Sequence, residues 1–243
     1  MTFRPFLLTP ILFSLLACTT VSSDTHTIVN IPEASGIDYC HNSQTLMVAN
    51  DEGIFYEISH EGSVVSKYTL GKYDLEGVVC HDKEVVFAVE KGVLIIVNRA
   101  TLESRELRLK GKKFKLGKKS GIEGLAFHDG LYYMSVQAKK KKDAKIFVVK
   151  IGKNYAKIKD VIDHGIIDAA GLYYRDGKLY IVSDKKDKLY IYSLKQKQIT
   201  KKLKLDKFAQ EGITFDEDGN VYFADDDGTV KKYTRKELGL RGQ

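Results

Sequence analysis

The sequence contains no tryptophan, three prolines and three cysteines, and each shortage removes a class of protein. So few prolines argue against a proline-rich linker or a polyproline ligand. Three cysteines are too few for a disulfide-built scaffold. None of them forms Cys-x-x-Cys, and the six histidines form no His-x-x-x-His, so a zinc site is not expected. Serine never sits in a Gly-x-Ser-x-Gly elbow, which leaves a serine hydrolase without support. No glycine-rich loop of the phosphate-cradling kind is present either. The longest apolar stretch, Phe6 to Ala17, falls short of the about 20 residues that a membrane-spanning helix needs.

What remains is a globular composition, 43% apolar and 29% charged, which excludes intrinsic disorder. Fourteen tyrosines and eleven phenylalanines favour strands, because aromatic side chains suit a pleated, half-buried surface. The N-terminus has a separate purpose. Arg4 precedes the apolar stretch, and Leu15-Leu16-Ala17-Cys18 closes it in the manner of a bacterial lipobox. The expectation is a signal peptide over residues 1–17, lipidated Cys18 as the new N-terminus, and a polar tether through residue 25. An ordinary signal peptide that happens to contain a cysteine is the alternative. Export and a lipid anchor would place the protein in the cell envelope, facing the periplasm or the cell surface, with the membrane as one partner. Cleavage removes only Arg4 from the formal net charge of +7, so the mature chain stays basic. In an exported protein this points to anionic lipid, glycan or phosphate partners and away from nucleic acid, or simply to a soluble monomer surface.

The fold is legible in an internal repeat. Five segments share a small or acidic residue, glycine and a run of apolar positions: Ser35-Gly36-Ile37, Glu76-Gly77-Val78, Glu123-Gly124-Leu125, Ala170-Gly171-Leu172 and Glu211-Gly212-Ile213. Successive repeat glycines are 41, 47, 47 and 41 residues apart, and periods of this size filled with short strands mark a propeller. Each unit continues with a turn such as Asp129-Gly130 or Asp176-Gly177, a hairpin signal between apolar runs, and then further strands. The fifth unit has no fourth strand of its own, whereas His26 to Ile31 is a strand without a unit. The expected fold is therefore all-β, a five-bladed β-propeller of four-stranded blades over residues 26–235. The N-terminal strand closes the ring, and residues 236–243 form a tail. Cys40 and Cys80 would lie on innermost strands of neighbouring blades, where the separation could exceed the about 7 Å that a disulfide tolerates. Two buried thiols are expected, with a disulfide as the alternative.

Starts of first strands and ends of second strands share one face of a propeller. There the repeat brings Glu76, Glu123 and Glu211 toward the axis, ringed by Asn50 or Asp51, Glu90, Gln137, Asp184 and Asp225. Carboxylates so crowded need a cation or shared protons. Hard oxygen ligands suit Ca²⁺ first and Mg²⁺ second. Glu76, Glu123 and Glu211 are the candidate metal ligands; capping of neighbouring backbone N–H groups is the alternative role. Lys112, Lys113, Lys139, Lys140, Lys141 and Lys142 fall in loops on the same face and could form an anion-binding rim, or merely solvated loops. His41, His81 and His128 read as turn residues on the opposite face.

The segments Asp74-Leu75-Glu76-Gly77, Gly121-Ile122-Glu123-Gly124-Leu125-Ala126-Phe127 and Gln210 to Tyr222 resemble the SdiA-regulated (YjiK-like) family of bacterial exported β-propeller proteins. That resemblance covers residues 34–235. It implies a periplasmic or membrane-attached propeller with a central divalent-cation site at Glu76, Glu123 and Glu211, and it implies no particular activity. The layout is also similar to NHL and phytase-like esterase propellers, a likeness that carries no chemistry. The leading expectation is a non-enzymatic lipoprotein that binds a ligand or protein on a cation-centred face. A Ca²⁺-dependent hydrolase of the lactonase or phosphoesterase kind, with Asp184 or Asp225 as general base, is the alternative.

Overall fold

The computed structural model describes residues 25–111, 116 and 120–240. The signal peptide, Cys18 and nearly all of the tether lie outside the described residues, as do Lys112 and Lys113.

The chain is all-β, and its only helical turns among the described residues are two single 3₁₀ turns. After a short first strand, β1 (Thr27–Asn30), come β2 (Ala34–Cys40), β3 (Thr45–Asn50), β4 (Ile54–Ile58) and β5 (Val64–Thr69), a four-stranded antiparallel sheet in chain order. The pattern repeats with β6 (Leu75–Cys80), β7 (Glu84–Val89), β8 (Val93–Asn98) and β9 (Ser104–Lys110). It repeats again with β10 (Ile122–His128), β11 (Leu131–Val136), β12 (Lys145–Ile151) and β13 (Ala156–Asp163). These two arrays are joined into one eight-stranded sheet by a short parallel pairing of Ala156 with Leu109 and Lys157 with Lys110. A further sheet holds β14 (Leu172–Arg175), β15 (Lys178–Ser183), β16 (Lys188–Ser193) and β17 (Gln198–Lys204). In the last one, β18 (Gln210–Phe215), β19 (Asn220–Asp225) and β20 (Thr229–Thr234) take β1 as their fourth, outer strand.

Burial explains which segment becomes which strand. Inner strands are covered on both faces, so β3 and β7 are near-continuous apolar runs. Outer strands face solvent on one side, and β17 alternates exposed and half-buried residues along its length. The Asp129-Gly130 and Asp176-Gly177 hairpins have positive φ at both residues, the geometry that matches strand twist in two-residue turns.

The core lies between sheets. Met47 and Phe55 pack with Phe87 and Ile95; Val86 and Leu94 with Met134 and Phe147; Tyr133 and Ile146 with Leu179 and Ile181. Tyr180 and Ile191 pack with Ile213 and Phe223, while Leu46 and Val48 pack with Tyr222 and Val230. The repeat glycines set how closely the innermost strands approach. A Cβ placed on Gly36 would lie 2.9 Å from the Gly77 Cα, and one on Gly77 would lie 2.6 Å from the Leu125 nitrogen. The same crowding runs from Gly124 to the Ala170 oxygen (2.2 Å), from Gly171 to the Glu211 oxygen (2.7 Å) and from Gly212 back to the Ile37 nitrogen (2.9 Å).

That approach overturns the expectation of free thiols. Cys40 and Cys80 form a disulfide, with their Cα atoms 5.2 Å apart. Strands in backbone contact at their glycines are still close a few residues on, well inside the bonding limit. A disulfide that closes a loop of this length constrains the unfolded chain, and replacing both cysteines by alanine should lower stability by about 2–4 kcal/mol in a denaturant melt. The described part of the C-terminal tail packs onto the sheets. Leu240 is fully buried, Leu238 packs against the same cluster, and the Gly239 carbonyl accepts a hydrogen bond from Lys201 (2.7 Å).

Candidate metal centre

Asp74 immediately precedes β6, and Glu76 is the second residue of that strand, where the register with β7 shifts between Leu75 and Gly77. Asp51 follows β3, where its N–H donates to the Glu33 carbonyl (3.3 Å) and carries its carboxylate toward β6. One oxygen each from Asp51, Asp74 and Glu76 lie within 4.8 Å of one another, and all three side chains are half-buried. Ligands at 2.3–2.6 Å from a common Ca²⁺ would span about that distance. The Asp51 Oδ1 atom is buried and has no hydrogen-bond partner. A buried acceptor left without a donor is costly, and a cation is one way to satisfy it. The residues present therefore fit a divalent metal ion, and the triad could hold one.

The electrostatics agree. Burial, then the charges of Asp74 and Asp226, push Asp51 up to about 7. Burial raises Glu76 far above the usual carboxylate range, and Glu123, Asp51, Asp74 and Glu211 add to it. Glu123 is raised chiefly by burial, and a hydrogen bond with Glu76 opposes part of that rise. Glu211 is raised by burial and then by Glu123, Asp184 and Asp226. The glutamates before the repeat glycines thus face one acidic centre, which holds protons when no cation neutralises it.

A family model described as SdiA-regulated matches residues 18–226. The chain belongs to the SdiA-regulated family. This SdiA-regulated protein is also similar to the crystal structure of Myxococcus xanthus glutaminyl cyclase, at 10% identity and a TM-score of 0.68 over 86% of this chain and 93% of that one. The likeness is one of fold, a β-propeller architecture, and nothing more is carried by it. The search of curated proteins finds no match.

Of the sequence-derived ligands of this SdiA-regulated protein, Glu76 is in the triad, Glu123 is hydrogen-bonded to it, and Glu211 acts on it through charge. Asp74 is a partner that the repeat pattern does not single out, because it lies just before β6 and next to a shift in that strand's register. Asp51 had been one of two options at its position; Asn50 instead accepts the Ile54 N–H (2.9 Å) and donates to the Pro32 carbonyl (3.2 Å). Asp184 opens a 3₁₀ turn after β15, and its carboxyl is raised by burial and then by Asp168. Asp225 is buried and fully engaged. It accepts the Ala209 N–H (3.1 Å), the Asp227 N–H (3.2 Å) and the Thr229 hydroxyl (2.7 Å), and it lies 3.6 Å from Lys231. Lys139, Lys140, Lys141 and Lys142 are exposed in the loop after β11, whose start is tied to the acidic end by the Gln137 N–H to Gly121 carbonyl bond (3.0 Å). Lys185 is closer in, with its ammonium 2.7 Å from Asp168.

Proposed function

We propose that the protein is an exported, lipid-anchored propeller of five four-stranded blades, closed by β1, whose acidic axial end binds one Ca²⁺ and through it an anionic ligand or a protein partner of the cell envelope. Residues 1–17 are the signal peptide, Cys18 the anchor and residues 26–235 the propeller. The five four-stranded arrays, two of them joined edge to edge by the β9–β13 pairing, the pairing of β1 with β20 and the cyclic succession of glycine contacts support the blade count and the closure. The Cys40–Cys80 disulfide is consistent with export to an oxidising compartment.

The observation that carries the reading is the convergence of Asp51, Asp74 and Glu76 around an orphaned buried oxygen. Glu123, hydrogen-bonded to Glu76, and Glu211 add carboxylates that a bound cation would help to ionise; Mg²⁺ is the second choice of ion. Exposed Lys139 to Lys142 would meet an anion drawn to the bound cation. Binding is favoured over turnover because the space within the glycine ring, bordered by Glu76 and Glu211, is about 10 Å³, room for about one water. The raised carboxyl of Asp184 near this end is the feature that favours the hydrolase alternative. Lactone or phosphoester turnover abolished by Asp184→Asn would establish that enzyme in place of a binder.

Titration of the chelator-treated full chain with Ca²⁺ tests the proposal. We expect one ion per chain and an affinity reduced at least about 100-fold in Glu76→Gln, since a ligand itself matters more than the outer-shell groups whose loss costs 10–100-fold. A chain that takes up neither Ca²⁺ nor Mg²⁺ would remove the metal centre and leave the carboxylates as a protonated packing device.

A further inference from the structure

The opposite end of the inner strands carries a second, separate feature. A cavity of about 180 Å³ opens there between the ends of β2, β6, β10 and β14. Its one carboxylate is Asp38, and around it stand the aromatic rings of Tyr39, Phe127, Tyr173 and Tyr174 with the imidazoles of His41 and His81. Asp38 is held in place from two sides. It accepts the Cys80 N–H (2.8 Å) and the Thr214 hydroxyl (3.1 Å), while Thr214 in turn accepts the Tyr39 N–H (3.1 Å). Those bonds fix the carboxylate but leave lone pairs on both oxygens, since a carboxylate has about four acceptor sites. The side chain is not sealed off, because Asp38 keeps partial exposure toward the cavity. Among the described residues no lysine or arginine pairs with it; burial pushes its carboxyl up to about 6, with the Cys80 N–H and the Thr214 hydroxyl opposing that rise, so a bound cation is what would complete the stabilisation of its ionised form.

We propose that this cavity is a binding site for a small organic ammonium ion, with Asp38 as the counter-ion and the aromatic rings as the walls. The chemistry selects a cation. Ring faces attract an ammonium electrostatically, and a desolvated site strengthens the attraction. An anion would meet Asp38 and, at the rim, Glu217. A bare metal ion would find one carboxylate among carbon faces, a poor match for a hard cation that takes six or more oxygens. The volume is below the ~300–1,000 Å³ of drug-sized sites, so the ligand is an amine or quaternary ammonium head group and not a larger molecule. His81 donates to or accepts from the Tyr132 hydroxyl (2.8 Å) and stacks edge-on to Phe127, so the wall is braced from behind. The disulfide cysteine Cys80 contributes to the same wall, which ties the two sheets that shape the cavity.

Calorimetric titration of the full chain with choline, ethanolamine and putrescine, and with acetate as the anion, tests the site. At least one ammonium compound should bind with one-to-one stoichiometry, and acetate should not bind at this cavity. Asp38→Asn keeps an acceptor for the Cys80 N–H and should weaken ammonium binding at least about tenfold. Phe127→Leu keeps apolar bulk at a partly exposed position and should weaken it by about two- to fivefold, the worth of one exposed cation–π contact. Binding of free choline without sedimentation of the chain on phosphatidylcholine vesicles would assign the ligand to a soluble amine; binding to both would assign it to the head group in either form. No ammonium binding by the wild-type chain, or binding that neither substitution weakens, would overturn the proposal.

Discussion

Between pH 6.5 and pH 8.5 the chelator-treated protein should lose about 4–8 °C of melting temperature, and Ca²⁺ should abolish the loss. The sign follows from linkage. Free Asp and Glu carboxyls titrate near 4 in the unfolded chain. In the folded protein burial and mutual repulsion hold Asp51 at about 7 and push Glu76, Glu123 and Glu211 upward as well. Across this window the folded state binds more protons than the unfolded one, so stability falls as pH rises. Buried His164, lowered to about 4, and His81, lowered by burial, act in the opposite direction. Unfolded histidine is half neutral at about pH 6.5 and nearly all neutral by about pH 7.5, so their opposing effect is confined to the lower half of the window. Each raised group contributes at most about 1.4 kcal/mol per pH unit; Asp51 and Glu76 are half-buried while Glu123 is buried, and their mutual repulsion makes them lose protons in turn rather than together, so about 2 kcal/mol in total is expected. For a chain of this length that is the stated shift in melting temperature. Ca²⁺ at a hundred times its dissociation constant adds about 2.7 kcal/mol and replaces the protons, leaving a flat profile. A flat profile without the ion would mean that the carboxylates are solvated. A profile that Ca²⁺ does not change would remove the metal centre.

Strand positions and the repeat were legible because burial on both faces forces apolar runs, and tight hairpins force Asp-Gly. The apolar runs Val93 to Val97, Leu131 to Val136 and Thr229 to Tyr233 read from the sequence as strands, and the structure has Val93–Asn98, Leu131–Val136 and Thr229–Thr234. Distances across the sheets were not legible. Free Cys40 and Cys80 were expected because nothing in a linear repeat says how near two innermost strands come, and backbone contact at the glycines decided it. The same limit affected the acidic centre. Glu76, Glu123 and Glu211 announced themselves by register, but Asp51 and Asp74 became the partners of Glu76 through a turn and the start of a strand, where side-chain direction depends on local backbone geometry. The cavity beneath Tyr39 and Tyr173 left even less trace, because His41 and His81 have the sequence context of ordinary turn residues.

Both ends of the axis depend on one packing device, and Gly124→Ala should break it. A Cβ at that position would lie 2.2 Å from the Ala170 oxygen, 2.6 Å from the Leu172 nitrogen and 2.8 Å from the Gly171 carbonyl carbon. All three are backbone atoms at the start of β14 or in the two residues before it, so no side chain can swing aside. The Gly124 N–H also donates to that same Ala170 oxygen (2.8 Å), a bond that separation of the strands would sacrifice. The expected cost is at least about 4 kcal/mol, in the range reserved for overpacking that backbone cannot absorb. Gly130→Ala is the internal control. Its φ of +72° strains an alanine, yet nothing lies within 4 Å of the added carbon, so about 1 kcal/mol is expected. A denaturant melt of the two variants separates conformational strain from crowding. Equal, small losses would mean that the inner strands stand farther apart than 2.2 Å permits, and the gathering of Glu76, Glu123 and Glu211 at one end would fail with them. A large loss at Gly124 alone would show that glycine occupies the repeat so that these strands can touch, with the acidic centre and the aromatic cavity as consequences at either end.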